Sequence, residues 1–112
     1  MAKLEKTVVG DFLELKKYIE DELPKLSTTF SFEEGFEGIS NGRRYWVAAC
    51  ERYAYTGRGR ASLNITLLEE DDGNHIMATS TGASQAMFFK INTWSEESFL
   101  DTLRDVLEEF EK

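Results

Sequence analysis

Residues 61–67 alternate without a break: Ala61, Leu63, Ile65 and Leu67 are apolar, and Ser62, Asn64 and Thr66 between them carry hydroxyl or amide groups. Side chains on a strand point to opposite faces with a period of two. This run therefore reads as a half-buried strand, and it restricts the chain to folds with a sheet that is greasy on one side. Its neighbours extend the pattern. Residues 43–55 read as a long strand before it, across a Gly57-Arg58-Gly59 turn, and residues 75–81 as a third strand after an Asp71-Asp72-Gly73-Asn74 turn. Strands joined by short turns pair antiparallel.

The flanking segments supply a layer to cover that sheet. Residues 4–9 are read as a short edge strand with Val8 or Val9 inward. Asp11 then stands as a helix N-cap, where a carboxylate accepts from free backbone N–H groups. Phe12, Leu15, Ile19 and Leu23 form one apolar stripe at spacings of three and four. Pro24 stops that helix. Residues 26–32 alternate again, with Leu26, Thr28, Phe30 and Phe32 on one side. Residues 34–42 hold three glycines and end in the turn dipeptide Asn41-Gly42, so they read as a loop. Phe36 and Ile39 are unusual in a loop: they fold back on the sheet or offer an apolar contact. The strand at 43–55 is long enough to require a bend or bulge. Its competing faces, Tyr45, Val47 and Ala49 against Trp46, Ala48 and Cys50, suggest burial on both sides. Residues 80–85 read as a corner and 85–91 as a last strand. Thr93 to Glu96 match a capping box. After it, Phe99, Leu100, Leu103, Val106, Leu107 and Phe110 recur at helical spacing opposite Glu97, Asp101, Asp105, Glu108 and Glu109.

These segments make one domain over 1–112. The expected fold is α+β, a two-layer arrangement of a curved antiparallel sheet of five to six strands packed by two helices. The expected order is β-α-β-β-β-β-β-α. That order is similar to the helix-grip proteins, in which a C-terminal helix lies in a curved sheet over an apolar cavity.

Charge and composition exclude several functions. A net charge of −8 argues against nucleic acid and against an anionic membrane surface, since both need a surplus of Lys and Arg. One cysteine, Cys50, excludes an internal disulfide and a thiolate zinc cage. No apolar run reaches the ~20 residues of a membrane helix, and the first residues lack a secretory layout. The expected setting is cytoplasmic.

No group of residues names a reaction, so no catalytic residue, metal or cofactor is assigned. Arg43, Arg44, Arg52, Arg58 and Arg60 fall close together in an acidic chain and, with Tyr53 and Tyr55, suit an anion. The plainer account is surface pairing with carboxylates, which is commonplace. Residues 80–85 place a glycine among hydroxyls, as an anion nest does, but lack the lysine and spacing of a phosphate loop. Ser84 has no second glycine for a nucleophile elbow, because Ala86 stands there. His75 with Asp71 and Asp72 reads as a solvated turn, and Cys50 as a small core residue. The ligand-binding candidates are Arg52, Tyr53, Tyr55, Asn64, Ser84 and Gln85.

Residues 51–57 (Glu-Arg-Tyr-Ala-Tyr-Thr-Gly), 62–67 (Ser-Leu-Asn-Ile-Thr-Leu), 81–86 (Thr-Gly-Ala-Ser-Gln-Ala) and 89–93 (Phe-Lys-Ile-Asn-Thr) resemble a small bacterial family of about this length. Gly10-Asp11-Phe12 and Ser98-Phe99-Leu100 extend the likeness over most of the chain. Members are found mainly in Firmicutes and carry the label of a domain of unknown function. Ala83 stands where such proteins tend to have a glycine, which argues against a backbone anion nest. The resemblance implies a stand-alone, full-length bacterial protein and no particular activity. Abundant aromatic residues without a catalytic set point to binding. The expected roles are a small ligand in a sheet–helix cleft or a protein partner, with a homodimer through the sheet face as the alternative. An enzyme acting on an anionic substrate, through Glu51, Arg52, Tyr53 or Ser84, is the remaining reading.

Overall fold

A computed structural model describes residues 2–26, 28–53, 59–84 and 89–112. The elements in chain order are β1 (Ala2–Val8), α1 (Phe12–Glu22) with a single 3-10 turn at Leu23–Leu26, β2 (Ser31–Ser40), β3 (Arg43–Tyr53), β4 (Gly59–Glu70), β5 (Gly73–Ser84) and α2 (Phe89–Glu111). The sheet runs β1-β5-β4-β3-β2, antiparallel at every pairing. The fold is α+β: a five-stranded antiparallel sheet under two helices. β1 and β2 are the two edges, so α1 carries the chain across the sheet from one edge to the other.

The alternation at 61–67 has the consequence expected of it. Ala61, Leu63, Ile65 and Leu67 are all buried, with Trp46, Ala48 and Cys50 of β3, Ile76 and Ala78 of β5 and Val8 of β1 on the same side. Phe12, Leu15 and Ile19 of α1 and Phe99, Leu100, Leu103, Val106 and Leu107 of α2 complete that cluster. α2 lies mainly on β5, with β1 and β4 beside it, and rests against α1. Asp11 caps α1 as expected, its carboxylate accepting from the Glu14 N–H at 3.0 Å. Pro24 sits in the 3-10 turn that ends the helix. The Asn41-Gly42 turn has φ of 54° and 77°, both left-handed, which a two-residue hairpin of this kind requires. Asn74 is a buried polar group with a job. Its Nδ2 donates to the carbonyls of Val8 (3.2 Å) and Gly10 (2.9 Å), which ties the end of β1 to the start of β5.

Several elements differ from their sequence reading. Residues 34–40 are strand, not loop: β2 pairs with β3 from Ser31 to Ser40, and Leu26 belongs to the 3-10 turn. Glycine weakens a strand but does not forbid one when a partner strand supplies the hydrogen bonds. The bulge expected in β3 lies instead in β2, where the register shifts between Phe32 and Glu34. β5 continues through residues 80–84, so the corner read there begins no earlier than its end. Of the strand read at 85–91, residues 85–88 lie outside the described ones and Phe89 to Ile91 open α2. The capping-box residues 93–96 are therefore inside a helix, since no Gly or Pro between 89 and 96 interrupts it. Among the described residues only one face of β3 is covered; the other is open.

The open face of the sheet as candidate functional site

The register turns the uncovered side of the sheet into rows. Gly38, Tyr45, Leu68, His75 and Thr7 form one row; Phe36, Val47, Thr66, Met77 and Glu5 the next; Glu34, Ala49, Asn64, Thr79 and Lys3 a third. Each row crosses all five strands, because paired residues share a face. The centre of these rows is uncharged and partly apolar. Phe36 is 66% exposed and Val47 37%, and the two are register partners. Tyr45 lies across Gly38: a Cβ added at Gly38 would stand 2.6 Å from the Tyr45 hydroxyl, so the missing side chain is what lets the ring lie down.

Charge is confined to the margin of this face: both signs occur at the β1 edge and at the two ends, while the β2 edge carries Glu34 alone. At the β1 edge are Lys3 and Glu5, the latter 2.7 Å from His75 Nε2. At one end Arg60 lies 3.6 Å from Glu51, which also accepts from the Tyr53 hydroxyl at 3.1 Å. At the other end Arg43 donates to Asp71 at 2.8 Å, beside Glu70. Between margin and centre, the Ser62 and Thr81 hydroxyls bond across β4 and β5 at 2.6 Å.

The sequence candidates fall in different places. Tyr53 and Asn64 share the open face, two rows apart. Arg52 is on the helix side, its guanidinium 4.6 Å from the centre of the Phe99 ring, where burial draws its pKa below the ordinary arginine range. The sheet itself separates Arg52 from Tyr53 and Asn64. Ser84 is the last residue of β5, opposite Gly59 in register. Tyr55 and Gln85 lie outside the described residues. Of the arginine group, Arg43 and Arg60 pair with carboxylates as the plainer account expects. His75 faces Glu5 and Glu70. Among the described residues no three His, Cys, Asp or Glu side chains gather as a metal site does. Cys50 is buried, and desolvation pushes its thiol up to about 12. Phe36 is the apolar contact that its unusual place between glycines suggested; Val47, Leu68 and Met77 were missed as site residues, although the apolar second face of β3 was a signal for Val47.

Fold and face together define a small two-layer α+β domain with one unclothed sheet surface, neutral at the centre and charged at the rim. The chain belongs to a family of unknown function, DUF6054, whose model matches residues 1–111. No curated protein matches it. No described helix is long and apolar enough to cross a membrane.

Proposed function

We propose that this is a non-catalytic cytoplasmic binding domain whose open sheet face pairs with the same face of a second copy. The observation that carries the reading is the uncharged, partly apolar centre surrounded by mixed charge, which is the anatomy of a protein interface. Five strands about 4.8 Å apart and about ten residues long give a face of roughly 24 by 33 Å, or about 800 Å2. A standard interface takes about 800 Å2 from each partner.

Charge favours a second copy as the occupant. The chain carries −8 overall, yet the outward register positions hold Lys3, Arg43 and Arg60 against Glu5, Glu34, Glu51 and Glu70. Two such faces meet without a large like-charge penalty, and the acidic side of α2 is turned outward on both copies. Because the β1 edge and both ends carry both signs, a two-fold axis can bring opposite charges within reach there.

Sedimentation velocity across micromolar to millimolar protein tests this. Wild type should move from monomer toward dimer, while Val47→Glu, which sets a charge at the centre of the face, should stay monomeric with an unchanged circular dichroism spectrum. A wild type that is monomeric throughout, or a Val47→Glu variant that dimerises equally, contradicts the reading.

A further inference from the structure

His75 is the one histidine of the chain, and histidine is the side chain whose charge ordinarily changes between about pH 5 and 8. It stands on the open face where the apolar centre gives way to the charged margin. Leu68 and Thr7 are its register partners on β4 and β1, and Met77 is the next outward residue of its own strand. The side chain is 24% exposed. Water reaches the ring in a single chain, and a surface laid on this face would exclude it.

The two neighbouring strands each turn a carboxylate to the ring. From β1, Glu5 lies 2.7 Å from Nε2; from β4, Glu70 lies 3.6 Å from Nδ1. Among the described residues neither carboxylate lies within ion-pair distance of a lysine or arginine. Lys3 is the other charged outward residue of β1, and Arg43 of β3 is turned to Asp71, which with Asp72 forms the β4–β5 turn. Met77 and Thr79, the next outward residues of β5, are uncharged. A neutral imidazole has one N–H, so it serves one carboxylate and leaves a lone pair toward the other. Only the imidazolium presents an N–H to both. Water hydrates the unserved carboxylate in a single chain; under a second face it would be buried without a counter-charge, which is costly.

We infer that His75 makes pairing of the open faces pH-dependent, tighter in mild acid, because the covered ring holds a second proton between Glu5 and Glu70. The inference rests on the pairing reading and adds the regulation of that same face. The charge count points the same way. The outward register positions hold one carboxylate more than they hold lysines and arginines, and a proton on His75 supplies the missing charge. It also reduces the −8 that each copy brings to the encounter. The sign follows from the linkage of proton uptake to pairing: the Kd falls as pH falls, over the range in which carboxylates still keep their charge.

Sedimentation velocity of the full chain at about pH 5.5 and about pH 8, at one ionic strength, reads the Kd on each side of the histidine range. Wild type should pair at least about tenfold more tightly at the lower pH. His75→Gln, which takes up no proton, should pair at both pH values as weakly as wild type does at the higher one, and this separates the histidine from the terminal amine. Glu5→Gln with Glu70→Gln removes the charges that call for the proton, and at the higher pH it should pair as tightly as wild type does at the lower. All three positions are at least partly exposed, so the circular dichroism spectra should match. A wild-type Kd that is the same at both pH values overturns the role of His75 and leaves the pairing reading standing. A pH effect that survives in His75→Gln overturns it equally. No association at either pH overturns the pairing reading, and this inference with it.

Discussion

Single residues set sharp demands in this fold. Gly73 has a φ of 141°, and a Cβ there would lie 2.9 Å from Thr7 Cγ2 and 3.1 Å from the Val8 carbonyl oxygen. Gly73→Ala should therefore cost more than the ~1 kcal/mol of an ordinary strained glycine position, read as a lowered denaturation midpoint. Asn74 closes the same corner with two hydrogen bonds to backbone carbonyls. Asn74→Ala leaves those carbonyls short of a donor and should cost about 2–4 kcal/mol. Cys50 gives a pH signature. Its thiol rises from 9.0 to about 12 in the folded chain, so between those values the unfolded state releases a proton that the folded state keeps. Stability is then full below pH 9.0 and falls as pH climbs toward about 12. Cys50→Ala should fall less steeply over the same window; parallel curves would contradict the shift.

At the scale of elements, what the sequence made legible was periodicity. β4, α1 and the second half of α2 declare themselves because the apolar residues at regular spacing are the buried ones, with Leu13 of α1 and Leu68 of β4 as exceptions. β2 does not. Glu33, Glu34, Gly35, Glu37 and Gly38 have low strand propensity, and their backbone is ordered by pairing to β3, a long-range fact that no local window contains. α2 starts before its capping motif for a related reason: a local cap is one option among several, and continuation of the helix needs only the absence of a breaker. The faces of β3 were ambiguous because Tyr45, Val47 and Ala49 are apolar for a surface that no helix covers. Leu103 is fully buried where α2 meets the sheet, and Leu103→Ala should cost about 2–5 kcal/mol. Leu13, on the outer side of α1, is 48% exposed, and Leu13→Ala should change stability by less than about 0.5 kcal/mol. Amide exchange should be slowest in β4 and β5, which have a strand on each side and α2 above, and fast at the outward N–H groups of the edge strand β2.

For the whole molecule, one layer of helices on a five-stranded sheet leaves half of the sheet's surface in solvent. On this face charge stops at the margin, and Val47, Leu68 and Met77 occupy the interior beside Phe36 of the edge strand β2. Association through that face is the central claim. Intermolecular paramagnetic broadening tests it most directly. A nitroxide is attached at Lys3→Cys in a Cys50→Ala background, and the labelled chain is mixed with 15N-enriched, unlabelled protein. Pairing of the two faces predicts broadening of amides in β3 and β4, around residues 45–49 and 62–66, while Asp105 and Glu108 on the outer side of α2 stay sharp. Broadening that falls on α2, or none at any concentration, would contradict it.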